Sequence, residues 1–421
     1  MTAPLDNLPR RGRVGLAFDP AASECRIDRV QPSGPAARAG VAPGDILLAV
    51  GDTPVADATA ARAALVRCRA GVALSLTFAR PHEALTVSLV PDPMPLEAEA
   101  RHAVSYRAVD AGGFRLRVLV HHPQGDGPWP AVLFLAGSDL GSVERPDARD
   151  PLRCLVHDLV DAGYAVVRME RRGVGDSEGP PLADATLADE RDDYRAALRW
   201  LAAEPWCAPG RVVLLGHSLG GLLAPQLCAT PEGAAVRAMM LYGVGSLPWT
   251  EYLARHLRAV GALQGLDADA IDALYARHRQ MHTRLLEARQ SLGEFFDAVP
   301  EARAHPARYG LDHAGRIEGR CVAYWQEVAA SPTIEPLCTA ARPTRIAWGA
   351  CDWQSYRDEH VALAEALNAV HAGLATFVEV PEADHNFALR AGRDDAFVRW
   401  GGGPYAPAVG EAFTAWLRTL G

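Results

Sequence analysis

Two stretches of this chain share the pattern Gly-x-Ser-x-Gly: Gly175-Asp176-Ser177-Glu178-Gly179 and Gly216-His217-Ser218-Leu219-Gly220. Such a turn can present a serine hydroxyl as a nucleophile when a strand runs into it and a helix leaves it. Only the second has that context. Val212 to Leu215 is an apolar strand before it, and Gly221-Leu222-Leu223-Ala224 opens a helix after it. The first lacks a strand running directly into it and is followed by Pro180-Pro181, so Ser177 reads as part of a structural turn. Ser218 is the expected nucleophile.

A serine hydroxyl needs a base to take its proton, and the base needs a partner to orient it. Both should follow the serine, each on a loop after a strand. The strand Thr344 to Trp348 leads into Gly349-Ala350-Cys351-Asp352-Trp353, and Thr376 to Val380 leads into Pro381-Glu382-Ala383-Asp384-His385. Asp352 is the expected acid and His385 the expected base, with Asp384 and Asp358 as alternative acids. Two backbone N–H groups should receive the developing oxyanion. Leu219, next after the serine, is one. The other lies in Ala136-Gly137-Ser138-Asp139, with Ser138 preferred and Gly137 the alternative. Trp325 and Trp353 are candidates for the wall of the substrate pocket, with core packing as the alternative for each.

The elements that must position these residues alternate. Strands are expected at Ala131–Ala136, Tyr164–Met169, Val212–Leu215 and Arg237–Tyr242, as well as before the acid and the base. Helices are expected at Pro151–Ala162, Leu187–Leu201 and Gly220–Ala229. Strand–helix alternation implies an α/β fold with a mostly parallel sheet covered on both faces. Residues 246–340 break the rhythm and read as an inserted helical cap. His278 and His282, four apart within it, have a metal-like spacing, but without an acidic third ligand they read as a solvated helix face. No metal or cofactor is expected.

Before this region, Pro91-Asp92-Pro93-Met94-Pro95 marks a break. Three prolines in five residues favour an extended linker, placed at 93–99. Residues 12–92 read as short strands with two helices, Pro35 to Gly40 and Ala58 to Arg69. Residues 100–421 form the larger unit.

Composition limits the partners. The net charge of -9, with Arg as the basic residue throughout and no Lys, argues against nucleic acid. No apolar run is long enough for a membrane span, and residues 1–13 lack the apolar stretch of a secretory signal. The 8 cysteines are scattered with no Cys-x-x-Cys, which predicts neither a zinc site nor a disulfide framework and fits a reducing, cytoplasmic setting.

Two resemblances follow from these residues. Ser33-Gly34-Pro35-Ala36-Ala37-Arg38-Ala39-Gly40 leading into Pro43-Gly44-Asp45-Ile46-Leu47 resembles a bacterial PDZ domain. That implies a carboxylate-binding loop at Val14-Gly15-Leu16 for a peptide C-terminus, with Arg11 and Arg13 near enough to add positive charge. Packing against the enzyme, or homodimer formation, is the other role open to it. Residues 100–421 resemble α/β-hydrolase-fold serine esterases, especially a bacterial carboxylesterase group. The resemblance rests on Ala136-Gly137-Ser138, Arg171-Arg172-Gly173-Val174-Gly175-Asp176-Ser177, the Ser218 turn, and the Asp352 and His385 loops. Glu170 departs from the group, where Asp often stands. The resemblance implies cofactor-free hydrolysis of a small-molecule carboxylic ester through an acyl-enzyme. A peptidase or acyltransferase acting on a peptide-linked substrate, and a PDZ scaffold with an inert hydrolase domain, are the alternatives.

Overall fold

The computed structural model describes residues 8–19, 22, 24–81 and 83–421. The larger unit is built on one eight-stranded sheet. Its strands are β1 Ala103–Asp110, β2 Arg115–His122, β3 Trp129–Leu135, β4 Ala165–Met169, β5 Cys207–His217, β6 Val236–Tyr242, β7 Thr344–Gly349 and β8 Ala375–Val380. They lie in the order β8-β7-β6-β5-β3-β4-β2-β1. Only β2 runs against its neighbours, pairing antiparallel with β1 and β4, and the other pairs are parallel.

The central strands read as unbroken apolar runs because both faces are buried. Side chains alternate between two cores. Val132, Phe134, Val213, Leu215 and Met240 face one, with helices Pro151–Asp161 and Pro407–Leu417. Leu133, Leu135, Leu214, Met239 and Leu241 face the other, with helices Leu187–Ala203, Gly220–Cys228 and Arg357–Val370. Thr186 and Asp189 close a reciprocal capping box at the start of helix 187–203. Between β6 and β7 the chain leaves the sheet and forms a helical cap, with helices such as Trp249–Leu263, Ala268–Met281 and Val322–Ala329.

The N-terminal unit is small and β-rich. Strands Ile46–Val50, Thr53–Pro54, Leu74–Ala79 and Ala84–Leu89 form an antiparallel sheet. Leu16–Phe18 pairs with Ile27–Val30, and Gly12–Arg13 with Asp92–Pro93. Phe18, Ile27, Leu47, Leu76 and Phe78 share its core. Residues 93–99, read as an extended linker, lie against the hydrolase. Glu97 is buried, and its carboxylate accepts from the Arg145 amide at 2.5 Å and from Arg168 at 2.5 Å, with His121 at 3.0 Å. Among the described residues no helix is long and apolar enough to cross a membrane.

Candidate active site

The expected residues lie at the carboxyl ends of adjacent strands, where parallel sheets place their ligand crevices. β5 ends at His217, and the helix beyond the turn begins at Gly220. Ser218 between them has φ +54°, a left-handed conformation that a non-glycine residue adopts at a cost. The turn closes this sharply because Gly216, Gly220 and Gly221 around it have no side chains. A Cβ on Gly220 would lie 2.1 Å from the Leu135 carbonyl oxygen, and one on Gly221 would lie 2.1 Å from Val244. Helix 220–228 therefore presses directly onto the end of β3 and the start of the cap connection.

Asp352 and His385 arrive on two loops that are joined to each other. The Ala350 amide donates to the Val380 carbonyl at 2.9 Å, and the Cys351 amide donates to Ala383 at 2.9 Å. His385 Nδ1 meets Asp352 Oδ2 at 2.7 Å. Asp352 is fully buried, and it also accepts from the Gln354 and Ser355 amides and from the Ser355 hydroxyl at 2.5 Å. Burial disfavours both charges, but each group outweighs it for the other. The His385 pKa is raised and that of Asp352 lowered. With Nδ1–H donated to Asp352, Nε2 carries the lone pair. Gly243 makes room for this pair, since a Cβ there would sit 2.7 Å from His385 Cε1. The alternative acids are committed elsewhere. Asp384 accepts from the Asn386 and Ala388 amides and from Arg390, while Asp358 pairs with Arg255.

Ser218, His385, Ser138 and Leu219 line one cavity of about 90 Å³ beneath the cap. Ser218 Oγ has no hydrogen bond among the described residues and shares the cavity with His385. The Ser138 and Leu219 amides likewise have no acceptor among the described residues. Gly137 stands directly against the serine, at 2.9 Å from a built Cβ to Ser218 Cβ.

Trp325 lines the cavity, and its indole N–H donates to the Ile317 carbonyl at 2.7 Å. Trp353 does not line it. The indole packs behind His256, with ring centroids 5.7 Å apart, and edge-on to Phe397 and Trp400. Sequence reasoning missed Trp249, Tyr252, His256 and Glu318, which all face the cavity. The first three had a signal: spacing of three and then four puts them on one face of helix 249–263. Glu318 had none. It sits on a short loop with φ +48°, is exposed at the cavity, and finds no donor among the described residues.

Three further expectations are corrected or placed. His278 and His282 are not a solvated face: His282 is buried, and burial lowers their pKa values to about 4 and about 3. Val14, Gly15 and Leu16 border a groove with Arg13, Arg62 and Leu65. Arg11 does not charge that groove, because its guanidinium turns inward to Glu144 at 2.9 Å. Outside the cavity, Glu99, His102 and His157 cluster as metal-ligand types, but Glu99 is already bonded by Arg153 and His157.

Two family models match the chain. Residues 112–377 match the family model of the X-Pro dipeptidyl-peptidase (S15 family), and residues 12–90 match that of the PDZ domain. Thiohydrolase apmlB of Arthrinium phaeospermum is 26% identical over 125 residues, which span 29% of this chain and 36% of that protein. Est1E from Butyrivibrio proteoclasticus, with ferulic acid bound, is similar at TM-score 0.48 and 16% identity, covering 74% of this chain and 98% of its own. The esterase domain of a Rhodothermus marinus protein is similar at TM-score 0.45 and 20% identity, covering 76% and 100%. Since the first of these models takes in more than half of the 421 residues, the chain belongs to the X-Pro dipeptidyl-peptidase (S15) family and is a serine hydrolase with an α/β-hydrolase fold, preceded by a PDZ domain.

Proposed function

We propose that the protein hydrolyses a carboxylic ester through an acyl-enzyme on Ser218. The observation that carries this reading is the convergence on one cavity of Ser218, the His385–Asp352 pair and two amides that have no acceptor among the described residues. Ser218 Oγ attacks the ester carbonyl while His385 Nε2 takes its proton. The carbonyl oxygen becomes an alkoxide between the Ser138 and Leu219 amides. His385 then gives the proton to the departing alcohol, and water repeats the sequence to release the acid. Asp352 holds the imidazole in the required tautomer and favours its cation.

Ester rather than peptide cleavage is favoured by the cavity. Leu219, Leu222, Val244, Leu247, Leu253 and Val328 give the cavity an apolar part, beside polar groups such as Glu318, Thr333 and Gln354. The apolar part suits a compact acyl group, and both edge strands of the sheet, β1 and β8, are outside the cavity, leaving no strand edge for a peptide to pair with. The groove of the N-terminal unit is the separate place for a peptide C-terminus.

Fluorophosphonate labelling and short-chain p-nitrophenyl ester turnover test this directly. Wild type should be labelled and turn over the ester, and Ser218→Ala should do neither. Equal labelling of the two proteins would remove Ser218 from the mechanism. Turnover of X-Pro peptide amides, with none of esters, would replace the ester reading by a peptidase one.

A further inference from the structure

The N-terminal unit touches the hydrolase through charge, and the contact falls on the loop that carries Ser138. Arg10 reaches Glu144 with both ends of its guanidinium, at 2.6 and 2.9 Å, and reaches Asp176 at 2.8 Å. The Arg11 amide donates to Asp176 at 2.7 Å, and its guanidinium meets Glu144 at 2.9 Å. Arg69 donates to the Gly175 and Ser177 carbonyls. The Glu144 and Asp176 side chains are 2% and 1% exposed, so this is not a loose surface contact.

A carboxylate so buried is tolerated only when paired. Within the hydrolase, Arg117 serves Asp176 at 3.2 Å, while Glu144 has the neutral Tyr106 hydroxyl at 2.5 Å. The cations that reach Glu144 among the described residues are Arg10 and Arg11. Both lie directly before the strand Gly12–Arg13 of the N-terminal unit.

Glu144 lies within the loop that joins β3 to helix Pro151–Asp161, the same loop that carries Gly137 and Ser138. The loop is gripped from within by the next strand's end. The Ser142 hydroxyl and the Val143 amide converge on Glu170, and Arg171 donates to the Gly137 carbonyl at 2.6 Å and to Gly141 at 3.1 Å. Glu144 is the point at which the N-terminal unit closes that grip.

We propose that Arg10 and Arg11 are positioning residues for catalysis, holding through Glu144 the loop whose Ser138 amide receives the oxyanion. The N-terminal unit is then a working part of the hydrolase as well as a PDZ domain. This rests on the reading of Ser138 as an oxyanion donor. A displaced donor weakens the transition state more than substrate binding. Misplacement costs less than the 10²–10³ expected for outright removal of a donor, so the loss should be on the order of tenfold in kcat.

The test uses the full-length protein with Arg10→Ala, Arg11→Ala and Glu144→Gln, each checked for folding. The kcat for a p-nitrophenyl ester should fall roughly tenfold while KM stays within about twofold. Affinity for a boronic acid, which forms a tetrahedral adduct on the serine, should fall in proportion to kcat/KM. Arg10→Lys should recover part of the loss, because it keeps the charge and not the two-pronged contact. Folded variants with wild-type kcat and boronate affinity would overturn the proposal. If Arg10→Ala does not fold, Arg11→Ala and Glu144→Gln decide, and an unchanged kcat in both overturns it. Wild type binding the boronate no tighter than Ser218→Ala does would instead sink the reading of the site itself.

Discussion

The two Gly-x-Ser-x-Gly turns have the same five-residue pattern and opposite fates. Ser177 is wholly buried, and its hydroxyl is spent on the backbone: it accepts from the Arg117 amide at 2.8 Å and donates to the Glu170 carbonyl at 2.9 Å. Ser218 is held at positive φ on a turn between strand and helix, half-buried at a cavity, its hydroxyl without a partner among the described residues. The pattern supplies flexibility and little bulk. What surrounds it decides whether the serine becomes a fastener or a reagent. The turn that Ser177 pins includes Asp176, a partner of Arg10.

The sharpest way to break this contrast is to exchange the fates by mutation. Ser218→Ala should lower kcat by roughly 10⁴- to 10⁶-fold with the fold intact, measured by ester turnover and thermal melting. Activity retained at a tenth of wild type would mean that another nucleophile operates.

Asp352→Asn should cost roughly 10⁴ in kcat by spoiling the tautomer of His385. It also bears on pH. Although burial opposes the cation, Asp352 raises His385 above the ordinary histidine value of 6.5. The acid limb of kcat/KM in wild type should therefore have its midpoint above 6.5, because the base is lost to protonation earlier as pH falls. The same shift stabilises the fold fully below the unfolded-state pKa, and that contribution is lost as pH rises through the folded-state value. Removing the Asp352 charge should move the limb to lower pH. A pH–rate profile identical in the two proteins would detach Asp352 from His385.

Gly243→Ala is a smaller lesion. The added methyl would meet His385 Cε1 at 2.7 Å in a backbone at φ +68°. A displaced base should reduce kcat by about 10- to 100-fold. KM should change little, and steady-state kinetics on one ester separates the two parameters.

Ser177→Ala should do the reverse of Ser218→Ala. It strands the Arg117 amide and the Glu170 carbonyl, which predicts a loss of about 1–3 kcal/mol in stability. Urea unfolding measures this, and kcat should stay within a few-fold of wild type.

Much of this was legible in the sequence, for identifiable reasons. β3, β5 and β6 announce themselves because burial on both faces demands unbroken apolar runs. The reactive turn is legible because strand, glycine turn and helix follow one another locally. β1 and β2 were harder. Arg115, Arg117, His121 and His122 interrupt β2, and the reason is tertiary: Arg117 meets Asp176, and His121 meets Glu97, both from distant segments. Helices Arg357–Val370 and Pro407–Leu417 also went unread. The inward turn of Arg11 depends on Glu144, far along the chain, and no local spacing encodes it. Trp353 stands next to Asp352 in sequence, yet its ring packs behind His256. Neighbouring side chains on a loop need not point into the same space.

The cap leaves the sheet after β6 and returns at β7, and these two strands are hydrogen-bonded neighbours, with Met239 paired to Thr344. An excursion that starts and ends at adjacent points demands almost nothing of what lies between. Its length and sequence can drift, or be exchanged wholesale, without altering the register of the strands that deliver Ser218, Asp352 and His385. Trp249, Tyr252, His256, Glu318 and Trp325 all belong to that excursion. A large part of the cavity wall and the proposed reacting residues thus stand in separate stretches of the chain, and an engineer could exchange the first while leaving the second in place.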